Sequence, residues 1–118
     1  MAPYKPDSSA TPRYQHSTMF LGPLMVVIGG RTNTVGEEVP MEVYDTESSE
    51  WYKFNVLQRF RLSCWQLDGQ IFVHGGFEND NPNIPINVIS RIDSNKLFDG
   101  FPNLLQKLMP KQVKPGVD

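Results

Sequence analysis

The chain is expected to be all-β and built from a repeated unit. Three observations lead there. Leu24-Met25-Val26-Val27-Ile28-Gly29-Gly30 recurs as Gln70-Ile71-Phe72-Val73-His74-Gly75-Gly76, 46 residues further on. At the same offset Arg13 meets Arg59, Tyr14 meets Phe60, Ser17 meets Ser63 and Leu21 meets Leu67. Self-similarity at a period of about 40 to 50 residues belongs to propellers and solenoids, whose units bury their faces only against neighbours. The apolar residues fall in short runs, continuous or alternating, which is strand patterning. Gly-Pro, Asp-Gly and Gly-Gly pairs punctuate those runs, as turns between strands require.

Bulk properties narrow the class. A chain of 118 residues is at most one ordinary domain. Hydrophobic residues make up 39%, enough to build a core, so the composition does not point to disorder. A net charge of −2 gives no electrostatic case for binding nucleic acid or an anionic membrane. The longest apolar run is too short to span a bilayer, and no charged segment precedes an apolar one at the N-terminus. Cys64 is the only cysteine, so no internal disulfide framework exists. Inside an apolar strand it reads as a small buried hydrophobe. These features fit a reducing compartment, the cytoplasm and by extension the nucleus.

Residues 1–12 hold Pro3, Pro6 and Pro12 and read as a flexible leader. Residues 13–56 form the first unit. Tyr14 to Leu21 is its first strand, and Gly22-Pro23 a tight turn. Leu24 to Ile28 is apolar at every position, which predicts a strand covered on both faces. Arg31 to Glu38 is a polar loop. Val39, Met41 and Val43 alternate with polar residues in a third strand. Asp45 opens a turn, where its carboxylate can accept from backbone N–H groups two residues on. Trp51 to Val56 is the fourth strand.

Residues 57–100 restart the pattern. Arg61 to Leu67, Gln70 to His74 and Ile86 to Ile92 are the expected strands, with Asp68-Gly69 as a hairpin turn. Phe77 to Pro85 reads as a long solvated loop, and Leu97-Phe98 as a weak start to a fourth strand. Residues 101–118 are a short helix and a disordered tail. Pro102 suits a first helical position, and Phe101, Leu104, Leu105 and Leu108 share one helical face over about 102–109.

The recurring set resembles the kelch repeat. Unit one carries Arg13, Gly29-Gly30, Tyr44-Asp45 and Trp51; unit two carries Arg59, Gly75-Gly76 and Asp93. Unit two departs from the pattern: Ile92 stands for the tyrosine, and Leu97 or Phe98 for the tryptophan. The resemblance implies two four-stranded antiparallel blades of a β-propeller, followed by the short helix. In it, Gly29, Gly30, Tyr44, Asp45, Trp51, Gly75, Gly76 and Asp93 maintain the fold. The stretch from Met25 through Phe98, especially Val88-Ile89-Ser90-Arg91-Ile92-Asp93 with the apolar tail beyond, is more narrowly similar to the last part of the kelch region in protein phosphatases with kelch-like domains, found in plants and apicomplexan parasites. That likeness implies a Ser/Thr phosphatase domain elsewhere in a parent protein, holding its own two-metal site.

Nothing in this chain reads as catalytic. His16 and His74 fall at different repeat positions without paired carboxylates, and Ser17 and Ser63 lack a nucleophile motif. Glu78-Asn79-Asp80-Asn81 lacks the glycine and distal glutamate of a calcium loop. No metal or cofactor is expected for this chain.

A binding role is the stronger expectation. Loops after the second strand and segments leading into the first emerge at one end of each unit. That end carries Arg31, Asn33, Glu78 and Asn83, with Arg13 and Arg59 leading in. Arginine forks suit carboxylate or phosphate. The alternative for Arg13 and Arg59 is structural: bonds to backbone carbonyls that hold units together. The implied partner is a protein or phosphoprotein substrate. A propeller enzyme with catalytic residues on other blades, or a cytoskeletal adaptor, are the competing readings. Two units do not close a ring. Either further blades belong to a longer chain, or three copies assemble into a six-bladed ring.

Overall fold

The structure, a computed structural model, describes residues 10–108. The expected leader lies mostly outside them, and the expected disordered tail lies outside them altogether. The elements are β1 (Tyr14–Leu21), β2 (Leu24–Arg31), β3 (Met41–Asp45), β4 (Glu50–Phe54), β5 (Arg59–Phe60), β6 (Ser63–Leu67), β7 (Gln70–His74), β8 (Phe77–Glu78), β9 (Asn81–Pro85), β10 (Ile89–Ile92), α1 (Ser94–Leu97) and α2 (Pro102–Leu108). The all-β class holds: three antiparallel sheets carry the chain, with two short helices at its end.

Unit one is a four-stranded sheet in the order β1-β2-β3-β4. Unit two is a three-stranded sheet in the order β10-β7-β6, with a second small sheet β5-β8-β9 beside it. The repeat is reproduced in the hydrogen-bond register. Thr18 pairs with Val27 and Met19 with Val26 in unit one; Cys64 pairs with Val73 and Trp65 with Phe72 in unit two. Gln15 and Arg61, also 46 apart, both take left-handed backbone angles, φ 59° and 58°. Beyond the loop the offset grows to 48: Glu42 stands opposite Val27, and Ser90 opposite Val73.

The core lies between the units. Met19, Leu21, Leu24, Val26, Ile28, Met41 and Val43 of unit one meet Leu62, Ile71 and Val73 of unit two, with Phe98 and Leu104 beneath them. Contrary to the expectation for β2, only one of its faces is fully covered. Leu24, Val26 and Ile28 are buried, whereas Met25 and Val27 are half-buried. Among the described residues no second unit lies over that other face.

Two glycines show why the pairs are needed. Gly29 sits at φ 74°, and a Cβ there would lie 2.5 Å from the Arg59 carbonyl oxygen and from Leu62. Gly76 sits at φ 85°, and a Cβ there would lie 2.5 Å from the Phe60 carbonyl oxygen. Both positions combine a backbone conformation costly for other residues with a close backbone approach.

Four expectations fail in unit two. The stretch 77–85 is not a solvated loop: Phe77 stacks on Phe60 at 5.4 Å, and β8 turns into β9, an edge strand that tolerates Pro82 and Pro85. The strand expected over Arg61 to Leu67 starts only at Ser63, with Arg59–Phe60 forming a separate strand before it, and strand three is shorter than expected, starting at Ile89. Strand four is replaced by α1. Asp45 and Asp93 open the same turn, accepting from the amides of Glu47 and Ser48 in one case and of Asn95 and Lys96 in the other. Ser49 and Leu97 then donate equivalent N–H bonds, to the Asp45 and Asp93 carbonyls. At that residue the units part. Ser49 turns left-handed at φ 61° and starts β4 by way of Glu50, while Leu97 stays helical. A left-handed non-glycine residue costs roughly 1–2 kcal/mol. Helical continuation instead carries Leu97 and Phe98 into the core, where Phe98 is fully buried 5.3 Å from the Phe54 ring.

Candidate functional site

The register of β1 on β2 and of β5 on β8 puts the segments leading into each unit beside the loop that follows its second strand. The expected binding residues therefore share one end of the fold, but they divide into distinct roles.

Arg13 is a structural residue. Its guanidinium is buried, donating from Nη1 to the Gly29 carbonyl at 2.9 Å and from Nη2 to Glu42 Oε1 at 2.6 Å. Glu42 also accepts from the Thr11 amide and hydroxyl. Burial pulls the Arg13 pKa down, and the charge and hydrogen bond of Glu42 work against that shift. The guanidinium has no face left for a partner.

Arg31 lies 4.2 Å above the Phe60 ring and donates from Nε to Gln15 Oε1 at 2.8 Å. It clamps unit one to β5. Asn33 is exposed in the loop after β2, and Asn83 is exposed on β9.

Arg59 and Glu78 come together. They are cross-strand partners and line one cavity of about 340 Å³ with Gly36, Glu38, Leu57, Gln58, Asn79 and Asp80. Arg59 is the repeat partner of Arg13, yet its surroundings differ. Its Nη2 donates to Ser90 Oγ at 3.3 Å, where Arg13 has the Glu42 carboxylate. Its Nη1 is buried without a partner. Three carboxylates, Glu38, Glu78 and Asp80, line the same cavity, so its balance is acidic.

Two cavity residues escaped the sequence reading. Asn79 is only 4% exposed. Its Nδ2 donates to the Gly30 and Glu37 carbonyls, each at 3.2 Å, and its Oδ1 has no partner. Gln58 brackets the Val39 backbone, accepting from its N–H at 2.8 Å and donating to its carbonyl at 3.0 Å. The one available signal was the offset itself, which aligns Asn79 with Asn33 in the matching loop.

The opposite end, where the β1–β2 and β6–β7 turns lie, holds a second cavity of about 640 Å³ between Gly22, Pro23, Asp68, Gly69 and α2. Lys107 of α2 pairs there with Asp45, and with Glu47 at 3.2 Å. Burial raises the Asp45 pKa, but the bonds from Lys107 and the turn amides outweigh it and hold the carboxyl below its ordinary value. The bond to Asp45 pushes Lys107 up. Tyr44 and Trp51 pack against each other at 4.8 Å on the outer face of unit one. Asp93 caps α1. Burial raises the Cys64 thiol, and its hydrogen bond to Ser17 works the other way.

Among the described residues no group of three or more His, Cys, Asp and Glu side chains is placed to hold a metal ion. No helix among them is long and apolar enough to cross a membrane. No protein-family model matches the chain.

Proposed function

We propose that the chain is a non-catalytic protein-interaction module made of two kelch-type propeller blades, and that it captures a protein partner at the Arg59–Glu78 cavity. The observation that carries this reading is the convergence of Arg59 and three carboxylates, Glu38, Glu78 and Asp80, on one cavity at the loop end. The three carboxylates favour a peptide with a basic side chain and disfavour a bare phosphate.

The further step, recruitment of substrates for a Ser/Thr phosphatase, rests on the likeness of Val88 to Asp93 and the apolar tail to kelch phosphatases. With an acidic cavity, such recruitment would engage basic residues flanking a phosphorylated position. The test is selection of a random peptide library on the immobilised chain. Lys- or Arg-containing peptides should be enriched, and Glu78→Gln with Asp80→Asn should abolish their capture while His16→Ala leaves it intact. Enrichment unchanged by the double substitution would overturn the assignment of the cavity.

A further inference from the structure

The junction between the two units leaves a repeat-equivalent of each of its halves on the outside. Unit one contributes the face with Met19, Leu21, Val26 and Val43, all buried. Their equivalents in unit two are Trp65, Leu67, Phe72 and Arg91, which lie on its outer face. Unit two contributes the face with Ile71 and Val73 to the junction. Their equivalents Met25 and Val27 lie on the outer face of unit one, in register with Phe20 and Tyr44. Apolar surface is uncovered on both sides: Phe20 is 55% exposed, Leu67 60% and Trp65 39%.

We propose that the Trp65–Phe72 face of unit two docks on the Phe20–Met25–Tyr44 face of unit one in a second copy of this chain, repeating between copies the junction that joins the units within one.

The contacts of the internal junction can be carried across by the repeat offset, and most find suitable residues waiting. Cys64 donates to Ser17 Oγ at 3.1 Å within the chain. Between copies the same positions are Thr18 and Ser63, two hydroxyls. The Arg61 amide donates to the Gln15 carbonyl at 2.8 Å. Between copies this becomes the Gln15 amide and the Arg61 carbonyl, on residues that already share the same left-handed backbone. Arg31 covers Phe60 within the chain; Phe77 would meet Tyr14 between copies. Asn79 donates to the Gly30 carbonyl; Asn33, exposed in one copy, would reach the Gly76 carbonyl of the other. The room is present too. The space beside Gly29 is closed by Arg59 and Leu62 of the following unit, whereas beside Gly75 the nearest atom is the Ile86 carbonyl oxygen at 3.8 Å.

The match is incomplete in ways that set its strength. Gln70, His74 and Arg91 stand where the internal junction has Leu24, Ile28 and Val43. Pro12 stands at the position of Gln58 and cannot repeat its bonds to Val39. The contact between copies is therefore weaker than the internal one and sensitive to dilution. It is also heterologous: it adds copies in one direction and closes into a ring only if the rotation per copy divides a full turn, as three copies of two units would do for six blades.

The test uses light scattering on a sizing column across a concentration series. The wild-type chain should exceed the 13.4 kDa protomer mass and fall toward it on dilution. Phe20→Asp and Leu67→Asp change exposed residues, and circular dichroism checks that both remain folded. Each variant alone should run at the protomer mass, because every contact then includes a damaged face. Mixed together they should form a one-to-one dimer of twice that mass that grows no further, because one intact face remains on each. Glu78→Gln, at the cavity, should leave the wild-type mass unchanged. A wild-type chain at protomer mass at every concentration would overturn the proposal, and would leave the two faces for additional blades of a longer chain. Loss of association in only one variant, or a mixture that stays monomeric, would overturn it equally.

Discussion

Ser90→Glu should stabilise this protein, although it places a carboxylate in a half-buried position. Arg13 and Arg59 are repeat partners, and Glu42 and Ser90 are the residues they touch. Both partners stand opposite equivalent valines of the second strand, Val27 and Val73. Unit one thus shows the complete arrangement, and unit two lacks its carboxylate. Arg59 Nη2 therefore has only the Ser90 hydroxyl, at 3.3 Å, where Arg13 Nη2 has a carboxylate at 2.6 Å. A hydrogen bond to a charged partner contributes roughly 1.5–3 kcal/mol, against roughly 0.5–1.5 kcal/mol for a neutral one. Ordering the longer glutamate side chain costs up to about 2 kcal/mol of rotamer entropy. The expected net gain is on the order of 1 kcal/mol. For a domain of this size that raises the melting temperature by roughly 4 °C. Thermal and urea unfolding would measure it, with Ser90→Gln as the uncharged control. The gain should disappear when Arg59 is replaced by Met, because no cation then remains to pair with. A gain that survives Arg59→Met, or a loss of stability with Arg59 present, would refute the equivalence of the two sites.

The complementary change should be costly. Glu42→Ala leaves Arg13 buried and unpaired and should lose about 3–5 kcal/mol in urea unfolding, whereas Lys53→Ala, which removes an exposed lysine 3.6 Å from the same carboxylate, should lose no more than about 1 kcal/mol. Phe98→Ala removes a fully buried ring and should also cost about 3–5 kcal/mol by the same measurement. The attachment of α2 should depend on pH at both extremes. Asp45 is held below its ordinary 3.8, so its contribution is full above that pH and is lost as pH falls through the lower folded value; Lys107 is held above 10.5, so its contribution is full below that pH and is lost as pH rises through the higher folded value. Stability titrations of the wild type and of Asp45→Asn should converge at both ends, and parallel curves would count against the pair.

Much of the fold was legible because it repeats. The offset of 46 residues located both inner hairpins, and the pairings Thr18–Val27 and Cys64–Val73 follow it position by position. Asp45 and Asp93 marked two turns that share the same amide bonds. Departures occur where tertiary contacts outweigh local composition. Asn and Pro between Phe77 and Pro85 look like coil, but Phe60 stacking on Phe77 and Asn79 reaching Gly30 draw that stretch into a sheet. The continuous apolar run of β2 predicted cover on both faces; only one is fully covered inside a single chain. At the candidate site, Arg59 and Glu78 were visible from the repeat and the loop. Asn79 and Gln58 were not, because their importance comes from carbonyls far away in sequence.

The asymmetry between the units has a local origin with distant effects. After matching turns, Ser49 reverses the chain into β4 while Leu97 continues as helix. Unit one therefore keeps a fourth strand, and with it the Tyr44–Trp51 pair on its outer face. Unit two ends its sheet at β10 and sends α1 and α2 back beneath unit one, where Phe98 and Phe101 meet Phe54 at 5.3 and 5.4 Å. The helices thus widen the internal junction beyond what two sheets alone would bury. They do not extend the outer face of unit two in the same way, because they pack on the other unit. A partner seated on unit one gains a full sheet and an aromatic pair, whereas one seated on unit two meets three strands and a charged Arg91. Complementarity between such unlike faces favours head-to-tail contact over pairing of like with like, and the Phe20→Asp and Leu67→Asp mixture measures that distinction.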